Sequence, residues 1–563
     1  MKVRKTSMIK INNLRFEYNH TPVLSGISFT IGPGDRIGLV GSNGAGKSTL
    51  LKLIEGKLVP TDGQIDRTRD IAGFMPQELT PWHNLTCREC IEELTGIRVA
   101  YAELETASAN MLEDEDAYNT ALEKVDSIGA YTLDERLPRA LQEVGLTTSF
   151  LDKKVGDLSG GQQTKLALAS ILVAKYDIFL LDEPTNNLDI AGIEILERFI
   201  AGSKAGFLII SHDRRFLKET MNKIVDLKPD AGGMEFFGGG YTDWRVAQER
   251  ERASQAKAHR EAVNERAKLE GAMQRKMAQS VRTDRAEKGA KDNDKMATDK
   301  KNENASKTLA KASKALETRL GRLEDIERPD EEIDLKLLFP TTDTKPGGDM
   351  VKLEKATAKY EDKELGPYNY TVRGGDRVAV IGPNGEGKST FVKLLAGLLM
   401  PAKGKREVAE ATCIGLVEQQ PEFDRPDEPL VDNVARMSGA DGTKAATELA
   451  RFGIARESQM LPANRVSPGQ RGKAFLAVHA LRATNLLIMD EPTNHLDVRA
   501  AEALGKALAT YPGSLIVVSH DREFLDDAKI SRFAVIQEGR VLSEKETAGY
   551  VKVHHLAREK DKE

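Results

Sequence analysis

Two loops in the sequence have the residue pattern of a phosphate-binding loop. Residues 41–49 read GSNGAGKST and residues 382–390 read GPNGEGKST, and each follows an apolar run and precedes a helical one. The glycines let successive backbone N–H groups turn toward phosphate oxygens, the lysine reaches the β- and γ-phosphates, and the first hydroxyl binds Mg²⁺. The candidate nucleotide-binding residues are Gly41, Asn43, Gly44, Gly46, Lys47, Ser48 and Thr49 in the first loop, and Gly382, Asn384, Gly385, Gly387, Lys388, Ser389 and Thr390 in the second.

A pair of acids ends an apolar strand farther along in each half. Asp182-Glu183 follows Ile-Phe-Leu-Leu, and Asp490-Glu491 follows Leu-Leu-Ile-Met. The first acid would hold Mg²⁺ together with the loop serine, and the second would orient or deprotonate water at the γ-phosphate. A purely structural carboxylate at a strand end is the alternative, and the adjacent acids at both equivalent positions disfavour it.

Three further kinds of side chain occur once in each half. A histidine follows a second apolar strand in the sequence Ser-His-Asp-Arg, and we interpret it as a donor to the γ-phosphate rather than as a structural histidine. A glutamine would bind Mg²⁺ or the attacking water, and a tyrosine at the end of the first strand would stack on a base or be an ordinary core residue. These pairs are His212 and His520, Gln77 and Gln419, and Tyr18 and Tyr360.

A third motif opens a helix in each half, LSGGQQTK at residues 158–165 and VSPGQRGK at residues 466–473. A serine hydroxyl and glycine amides at a helix start form a second anion cradle. This cradle lies far along the chain from its own phosphate loop, so we predict that it serves the nucleotide of the other half. Its residues are Ser159, Gly160, Gly161 and Gln162 in the first half, and Ser467, Gly469 and Gln470 in the second.

The elements that position these groups occur in the same order twice, which indicates a duplication. The offset from Gln77 to Gln419 is 342 residues, whereas from Asp182 to Asp490 it is 308, so the first half carries 34 extra residues. We predict that residues 100–142 hold this insertion as a pair of helices forming a small projecting arm.

Strand and helix signals alternate through both halves and predict an α/β fold, with two P-loop domains joined by a long α-helical hairpin linker. We place the first domain at residues 8–243, with the helical insertion at about 100–142. The linker is placed at 244–335, the second domain at 349–548 and a polar C-terminal tail at 549–563.

The central segment differs in charge from both halves. Residues 245–328 contain no proline and hold 22 Lys plus Arg against 15 Asp plus Glu, in a chain of net charge −5. Residues 246–277 favour a helix, leucines recur at helical spacing from residue 309, and residues 282–301 are almost devoid of apolar side chains. We interpret the last stretch as the tip of an antiparallel helical hairpin that presents positive charge; a solvated charged linker is the alternative, and the nature of the flanking halves decides between them. If the halves indicate an RNA-associated protein, the candidate RNA-binding residues are Arg282, Arg285, Lys288, Lys291, Lys295, Lys300 and Lys301.

Length and composition exclude several classes of protein. A chain of 563 residues is too long for one core and indicates two large domains. No apolar run approaches the roughly 18 residues that cross a bilayer, and the N-terminus lacks a signal core, so we expect a cytoplasmic protein with no membrane domain. Three cysteines form no disulfide framework, and Cys87-x-x-Cys90 is expected to hold ordinary thiols near a helix start.

The set of motifs in the two halves closely resembles that of tandem ATP-binding cassette proteins of the F subfamily. It comprises the phosphate loops, the helix-opening motifs, the Ser-His-Asp-Arg segments and LLDEPTNNLD at residues 180–189. The resemblance covers roughly residues 8–243 and 350–546, and the charged segment occupies the place of that subfamily's linker. It implies a ribosome-binding ATPase that uses ATP and Mg²⁺ at the tRNA exit site, with the linker reaching toward the peptidyl-tRNA and the peptidyl transferase centre. The partners implied are therefore rRNA and peptidyl-tRNA.

The resemblance also implies that the halves of one monomer close head to tail on two ATP molecules. The first site would combine the motifs of the first half with Ser467 and Gly469, and the second site would combine those of the second half with Ser159 and Gly161. Two residues depart from the family pattern: Pro468 replaces a signature glycine and removes an N–H, and Asn187 stands where histidine is usual. Equal competence of the two sites is therefore in doubt.

Three classes of function are compatible with two ATP-binding cassettes on one chain. The leading one is a ribosome-associated translation factor, either relieving stalled ribosomes or protecting them from antibiotics. The hairpin tip resembles antibiotic-resistance members of the subfamily, and the insertion resembles general translation factors. The ATPase subunit of a membrane exporter is disfavoured because both cassettes share one chain, and a chromosome or repair ATPase would have a longer coiled coil.

Overall fold

The structure is a computed structural model that describes residues 8–42, 44–67, 72–76, 79–228, 233–287, 347–359, 364–418, 422–494, 496, 498–554 and 556. Side chains at 273, 276–287 and 468 are not described. The described residues of the two repeats form one compact unit, and the helix beyond Tyr241 belongs to a second.

The first repeat alternates strands and helices. Its strands are β1 (Ile9–Tyr18), β2 (Thr21–Ile31), β3 (Arg36–Gly41), β4 (Asp62–Arg67), β5 (Ala72–Met75), β6 (Ile178–Asp182), β7 (Gly206–Ile210), β8 (Lys223–Lys228) and β9 (Gly233–Phe237). Its helices are α1 (Lys47–Glu55), α2 (Cys87–Leu94), α3 (Ile97–Ala109), α4 (Glu115–Ser127), α5 (Leu133–Glu143), α6 (Gly160–Val173), α7 (Ile190–Gly202) and α8 (Arg214–Thr220), and α9 (Tyr241–Glu287) follows.

The second repeat has the same order. Its strands are β10 (Asp349–Lys359), β11 (Glu364–Arg373), β12 (Arg377–Ile381), β13 (Lys403–Val408), β14 (Ile414–Val417), β15 (Leu486–Asp490), β16 (Ser514–Val518), β17 (Arg532–Gln537) and β18 (Arg540–Val541). Its helices are α10 (Lys388–Ala396), α11 (Leu430–Ser438), α12 (Gly442–Arg451), α13 (Arg456–Gln459), α14 (Pro468–Leu481), α15 (Val498–Ala509), α16 (Arg522–Asp527) and α17 (Glu544–Val553).

The two repeats share one sheet topology, which confirms the α/β fold of two cassettes. The large sheets run β5-β6-β7-β3-β8-β9 and β14-β15-β16-β12-β17-β18, and the small antiparallel sheets run β2-β1-β4 and β11-β10-β13. The central strands are parallel and fully buried, as expected for strands covered on both faces. Because β3 and β6 both pair in parallel with β7, the phosphate loop and the acid pair leave the sheet at the same edge.

An apolar core holds each phosphate-loop helix in place. Leu50, Leu51, Leu53 and Ile54 of α1 pack in one cluster with the small sheet and with β3, β6, β7 and β8. The equivalent face of α10 lies in a matching cluster of the second repeat. Each helix N-terminus is therefore fixed at the edge of the sheet where the loop begins.

The extra residues of the first repeat form a pair of helices. α3 and α4 contact each other and have no counterpart between α11 and α12, which are separated by only a short turn. The pair spans 97–127, a shorter range than the predicted 100–142, because α5 is the equivalent of α12 and belongs to the common fold. Cys87 and Cys90 lie buried on α2 with free thiols, and burial raises the pKa of Cys90 to about 12.

Two predicted boundaries differ from the structure. α9 continues to Glu287, so Arg282 and Arg285 lie on a helix rather than in a hairpin tip, because helix-favouring residues persist beyond 277. The predicted polar tail begins within α17, and Leu556 is only 8% exposed. Leu556 has polar neighbours in the sequence and is buried by tertiary contacts, which local composition does not reveal. The residues predicted to form the second helix of the hairpin lie outside the described ones.

Candidate nucleotide-binding sites

The two phosphate loops have the same internal geometry. Lys47 Nζ donates to the backbone carbonyl oxygens of Gly41 and Ser42, at 2.8 and 3.1 Å. Lys388 Nζ donates to the two equivalent carbonyl oxygens of its own loop at the same distances. Each ammonium group therefore lies at the N-terminus of the following helix, where the cation and the positive end of the helix dipole act on the same anion.

The glycine before each loop lysine has no room for a side chain. Gly387 has a φ of 100°, and a Cβ there would lie 2.6 Å from Tyr368 Oη. Gly46 has a φ of 91°, and a Cβ there would lie 2.9 Å from Val23 Cγ1. Any other residue would strain the backbone and displace the loop, which explains the glycine in the motif.

The first acid of each pair lies beside the loop serine. The Asp182 carboxyl is hydrogen-bonded with Ser48, and the Asp490 carboxyl with Ser389. Burial raises the pKa of both aspartates, and the hydrogen bonds oppose this shift. The structure thus brings together the hydroxyl and carboxylate oxygens that a hard cation such as Mg²⁺ prefers.

The second acid of each pair is buried in a left-handed backbone conformation that is rare for glutamate. Glu183 has a φ of 50° and Glu491 a φ of 48°, and their N–H groups donate to Ile210 O and Val518 O on the neighbouring strands. Burial, reinforced by Asp182, raises the pKa of Glu183 to about 8. Burial likewise raises the pKa of Glu491. Both are therefore stronger proton acceptors than an ordinary glutamate.

A histidine faces each of these glutamates. His212 Nε2 lies 3.1 Å from Glu183 Oε1, and His520 Nε2 lies 3.6 Å from Glu491 Oε1. Burial, with a contribution from Lys388, lowers the pKa of His520 well below its usual value, so this imidazole is neutral at pH 7. Both of its ring nitrogens are buried without a hydrogen-bond partner in the part of the chain that the structure describes. They are available to an oxygen atom that enters the site.

A cavity of about 520 Å³ lies between the two halves at the second phosphate loop. Its lining includes Lys388, Asp490, Glu491 and His520 from the second half, and Gly160 and Gly161 from the first. Pockets for nucleotide-sized ligands have volumes of roughly 300–1,000 Å³. The structure therefore places the helix-opening glycines of one half across the phosphate loop of the other.

The helix-opening motifs are built alike in both halves. Ser159 caps α6 by accepting from the Gln162 N–H at 3.4 Å, and Ser467 caps α14 by accepting from the Gln470 N–H at 3.2 Å. Each glutamine reaches back to its serine N–H, which completes a capping box. Pro468 occupies the first turn of α14, where proline fits the helix. It leaves the helix start intact and removes only the N–H.

The loop before α7 contacts the second phosphate loop. The acid of this loop, Asp189, is not among the site residues predicted from the sequence. The Asn384 N–H donates to Asp189 Oδ2 at 3.2 Å, and Asn384 Nδ2 donates to Asn187 O at 2.6 Å. Asn384 Oδ1 accepts from Lys388 Nζ at 3.1 Å. The internal repeat could have identified this acid, because Asn-Leu-Asp at residues 187–189 recurs 308 residues later as His-Leu-Asp.

Two ion pairs join the halves close to the histidines. Arg214 Nη2 lies 2.7 Å from Asp527 Oδ2, and Arg522 Nη2 lies 2.5 Å from Glu197 Oε1. Each arginine follows its histidine by two residues and is at most 8% exposed. Removing one partner would leave a buried charge uncompensated and would therefore destabilise the closed arrangement.

Comparison with known proteins places this geometry in a family. The family described as ABC transporter matches residues 24–186 and 365–494. The chain is 31% identical to the probable ATP-binding protein YheS of Escherichia coli, over 92% of this chain and 77% of that protein. It is 29% identical to ABC transporter F family member 5 of Arabidopsis thaliana, over 95% of this chain and 75% of that protein.

This chain belongs to the F subfamily of ATP-binding cassette proteins. Its fold is shared with an archaeal ribosome recycling factor, aABCE1, solved with the stalk protein aP1, at a TM-score of 0.59 and 18% identity, over 96% of this chain and 92% of that one. As a member of this family, the chain is an ATP-binding protein and an ATPase. Within the described ranges, no helix combines the length and the low polarity that a bilayer span requires.

Some predicted site residues lie outside the described residues. They are Asn43, Gln77, Tyr360 and Gln419, together with the linker lysines Lys288, Lys291, Lys295, Lys300 and Lys301. Tyr18 is described at the end of β1, where it is 48% exposed and its ring meets Phe16 edge to face. An exposed ring at this place has a face available for stacking on a base.

The residues present fit ATP with Mg²⁺. The fit rests on the cavity, on the unpartnered nitrogens of His520 and on the serine–aspartate pairs. Bound ATP with Mg²⁺ supplies a γ-phosphoryl group whose transfer to water needs charge stabilisation. In each cassette the loop lysine would hold phosphate oxygens, the serine–aspartate pair would hold the metal, and the glutamate would take a proton from water. The histidine would orient the group by hydrogen bonding, and in the second cassette this histidine, His520, is neutral.

Proposed function

We propose that this chain is a ribosome-binding ATPase that acts in translation at the tRNA exit site. The observation that carries the proposal is the cavity at the second phosphate loop, which both halves of one chain complete. ATP would favour the closed form, and hydrolysis would release it. Such a chain can switch its own shape without a partner cassette.

The linker supports the choice of partner. Residues 245–328 hold 22 basic against 15 acidic residues, and α9 extends as one helix of 47 residues from Tyr241 to Glu287. Lysine and arginine bind RNA phosphates without reading sequence, as a factor that meets rRNA and peptidyl-tRNA requires. A protein of the same fold is a ribosome recycling factor. We propose that the linker reaches toward the peptidyl-tRNA and the peptidyl transferase centre.

Within this function, two biological roles are proposed for testing. One is relief of stalled ribosomes, and the other is protection of ribosomes from antibiotics. A drug-susceptibility panel in a sensitive host expressing the chain separates them, because only the second role raises the inhibitory concentration of ribosome-targeting drugs. The matched control is the chain with Lys47→Ala and Lys388→Ala.

Fractionation of cells that express Glu183→Gln with Glu491→Gln tests the proposed partner. We expect the variant to sediment with ribosomes in ATP and to leave them in ADP. Recovery in the membrane fraction instead would favour the exporter alternative and would contradict the proposal.

The salt dependence of that binding tests the linker. We expect replacement of Lys288, Lys291, Lys295, Lys300 and Lys301 by glutamine to flatten the slope of log affinity against log salt, by about 0.7–0.9 for each lysine–phosphate interaction that is removed. ATP hydrolysis without ribosomes should stay unchanged. An unchanged slope would show that the tip is a solvated turn.

A further inference from the structure

The C-terminal segment of the second cassette reaches the first cassette. His554 Nδ1, just after α17, lies 3.1 Å from both carboxylate oxygens of Glu194 on α7. The two side chains are only 13% and 25% exposed. The Tyr550 ring lies 4.3 Å from the imidazole and supports it from within α17. This contact joins sequence positions 360 residues apart.

An apolar contact accompanies the polar one. Ile190, the first residue of α7, is 1% exposed and lies in an apolar cluster otherwise built by the second cassette. Leu556 belongs to the same cluster. Ile190 and Glu194 are four residues apart and therefore share one face of α7. The second cassette thus holds the N-terminal turn of α7 through one apolar and one polar contact.

The same turn of α7 leads to the second phosphate loop. Asp189 caps α7 by accepting from the Gly192 N–H at 2.9 Å, and its other oxygen accepts from the Asn384 N–H. Burial raises the pKa of Tyr550 to about 12, and the charges of Asp189 and Glu194 add to this shift. α7 therefore meets the C-terminal segment and the phosphate loop within one turn.

We propose that His554 and Leu556 are positioning residues for ATP turnover at the second site. By holding α7, they keep Asp189 and Asn187 on the loop that carries Lys388. The contacts lead to the second loop, so removing them should affect the second site and spare the first. The proposal rests on the ATPase activity of the family and on Glu183 and Glu491 as the catalytic acids.

The test uses the full chain without ribosomes, in two single-site backgrounds. Glu183→Gln leaves the second site active, and Glu491→Gln leaves the first. In the Glu183→Gln background, Glu194→Gln should lower kcat about five- to tenfold with little change in KM, as removal of a charged hydrogen bond predicts. In the Glu491→Gln background the same change should have less than about a twofold effect.

Two further measurements separate positioning from simple loss of stability. The exchanged pair Glu194→His with His554→Glu should restore most of the second-site kcat. Hydrogen–deuterium exchange without nucleotide should quicken at residues 187–192 in Glu194→Gln and in Leu556→Ala. Arg540→Gln is the matched control, because Arg540 pairs with Glu546 of α17 at 3.2 Å within the second cassette.

The outcomes decide the proposal. Equal losses in both backgrounds, no loss in either, or unchanged exchange at 187–192 would overturn it. Glu194→Gln keeps the shape of a partly exposed side chain, so it should fold even if Leu556→Ala does not. Absence of ribosome binding would contradict the proposed function and would leave this result unaffected, because no ribosome is present.

Discussion

The two ATP sites share their chemical groups and differ in the residues that close them. Lysine, serine, aspartate, glutamate and histidine recur with closely similar contacts in both cassettes. The second phosphate loop faces Gly160 and Gly161 of the helix-opening motif in the first half. The helix-opening motif of the second half, which is predicted to complete the first site, has Pro468 at the position of Gly160. Duplication has thus kept the predicted hydrolytic groups alike, while the helix-opening motifs differ by the proline.

This difference indicates where asymmetry should arise. A backbone N–H aimed at developing negative charge contributes to catalysis, and proline has none to offer. Pro468 fits the helix, so the cost falls on anion binding rather than on folding. We therefore expect the second site to carry most of the turnover.

The largest effect is expected when both catalytic acids are changed. Glu183→Gln with Glu491→Gln should lower ATP hydrolysis by about 10²–10⁴-fold, because the amide keeps the shape of the carboxylate but accepts no proton. ATP binding, measured by equilibrium dialysis, should persist. Normal hydrolysis by this variant would show that neither acid takes part in the reaction. The comparison of the two sites would then have no basis.

Single changes measure the asymmetry directly. Glu491→Gln alone should reduce steady-state hydrolysis about tenfold, and Glu183→Gln alone by about twofold or less, because the second site carries most turnover. The rates are compared at saturating ATP with matched protein preparations. Equal losses would show that the sites contribute alike.

The pH dependence should be similar in both single-site backgrounds. Burial raises the pKa of Glu183 to about 8 and raises that of Glu491, so each acid is protonated and unable to accept a proton below that range. kcat/KM should therefore rise with pH from about 6 to 8, by up to tenfold per unit well below the pKa. A plateau already reached at pH 6 would indicate ordinary carboxylates.

An effect of only about threefold is expected from exchanging the proline between sites. In the Glu491→Gln background, Pro468→Gly restores an N–H and should raise first-site turnover about threefold. In the Glu183→Gln background, Gly160→Pro is the mirror change and should lower second-site turnover by a similar factor. Helix content by circular dichroism serves as the control. No change in either background would leave Pro468 without a catalytic consequence.

The sequence predicted the groups that follow a strand or open a helix. Lysine–glycine loops, strand-end acids and serine caps depend on local backbone geometry, so their spacing alone identifies them. Asp189 and Glu194 were missed because their partners, Asn384 and His554, lie 195 and 360 residues away. Leu556 was assigned to a polar tail for a similar reason, because burial against residues that are distant in sequence leaves no mark on local composition.

A disulfide across the second site would report closure of the two cassettes within one chain. A Cβ at Gly161 would lie 3.0 Å from Asn384 Cβ, so Gly161→Cys with Asn384→Cys should link within one chain when a hydrolysis-dead protein binds ATP. Single-cysteine variants report the background from native thiols. We expect a monomer-sized product that forms faster with ATP than with ADP. Absence of the link, or a dimer-sized product, would contradict closure of the two cassettes within one chain.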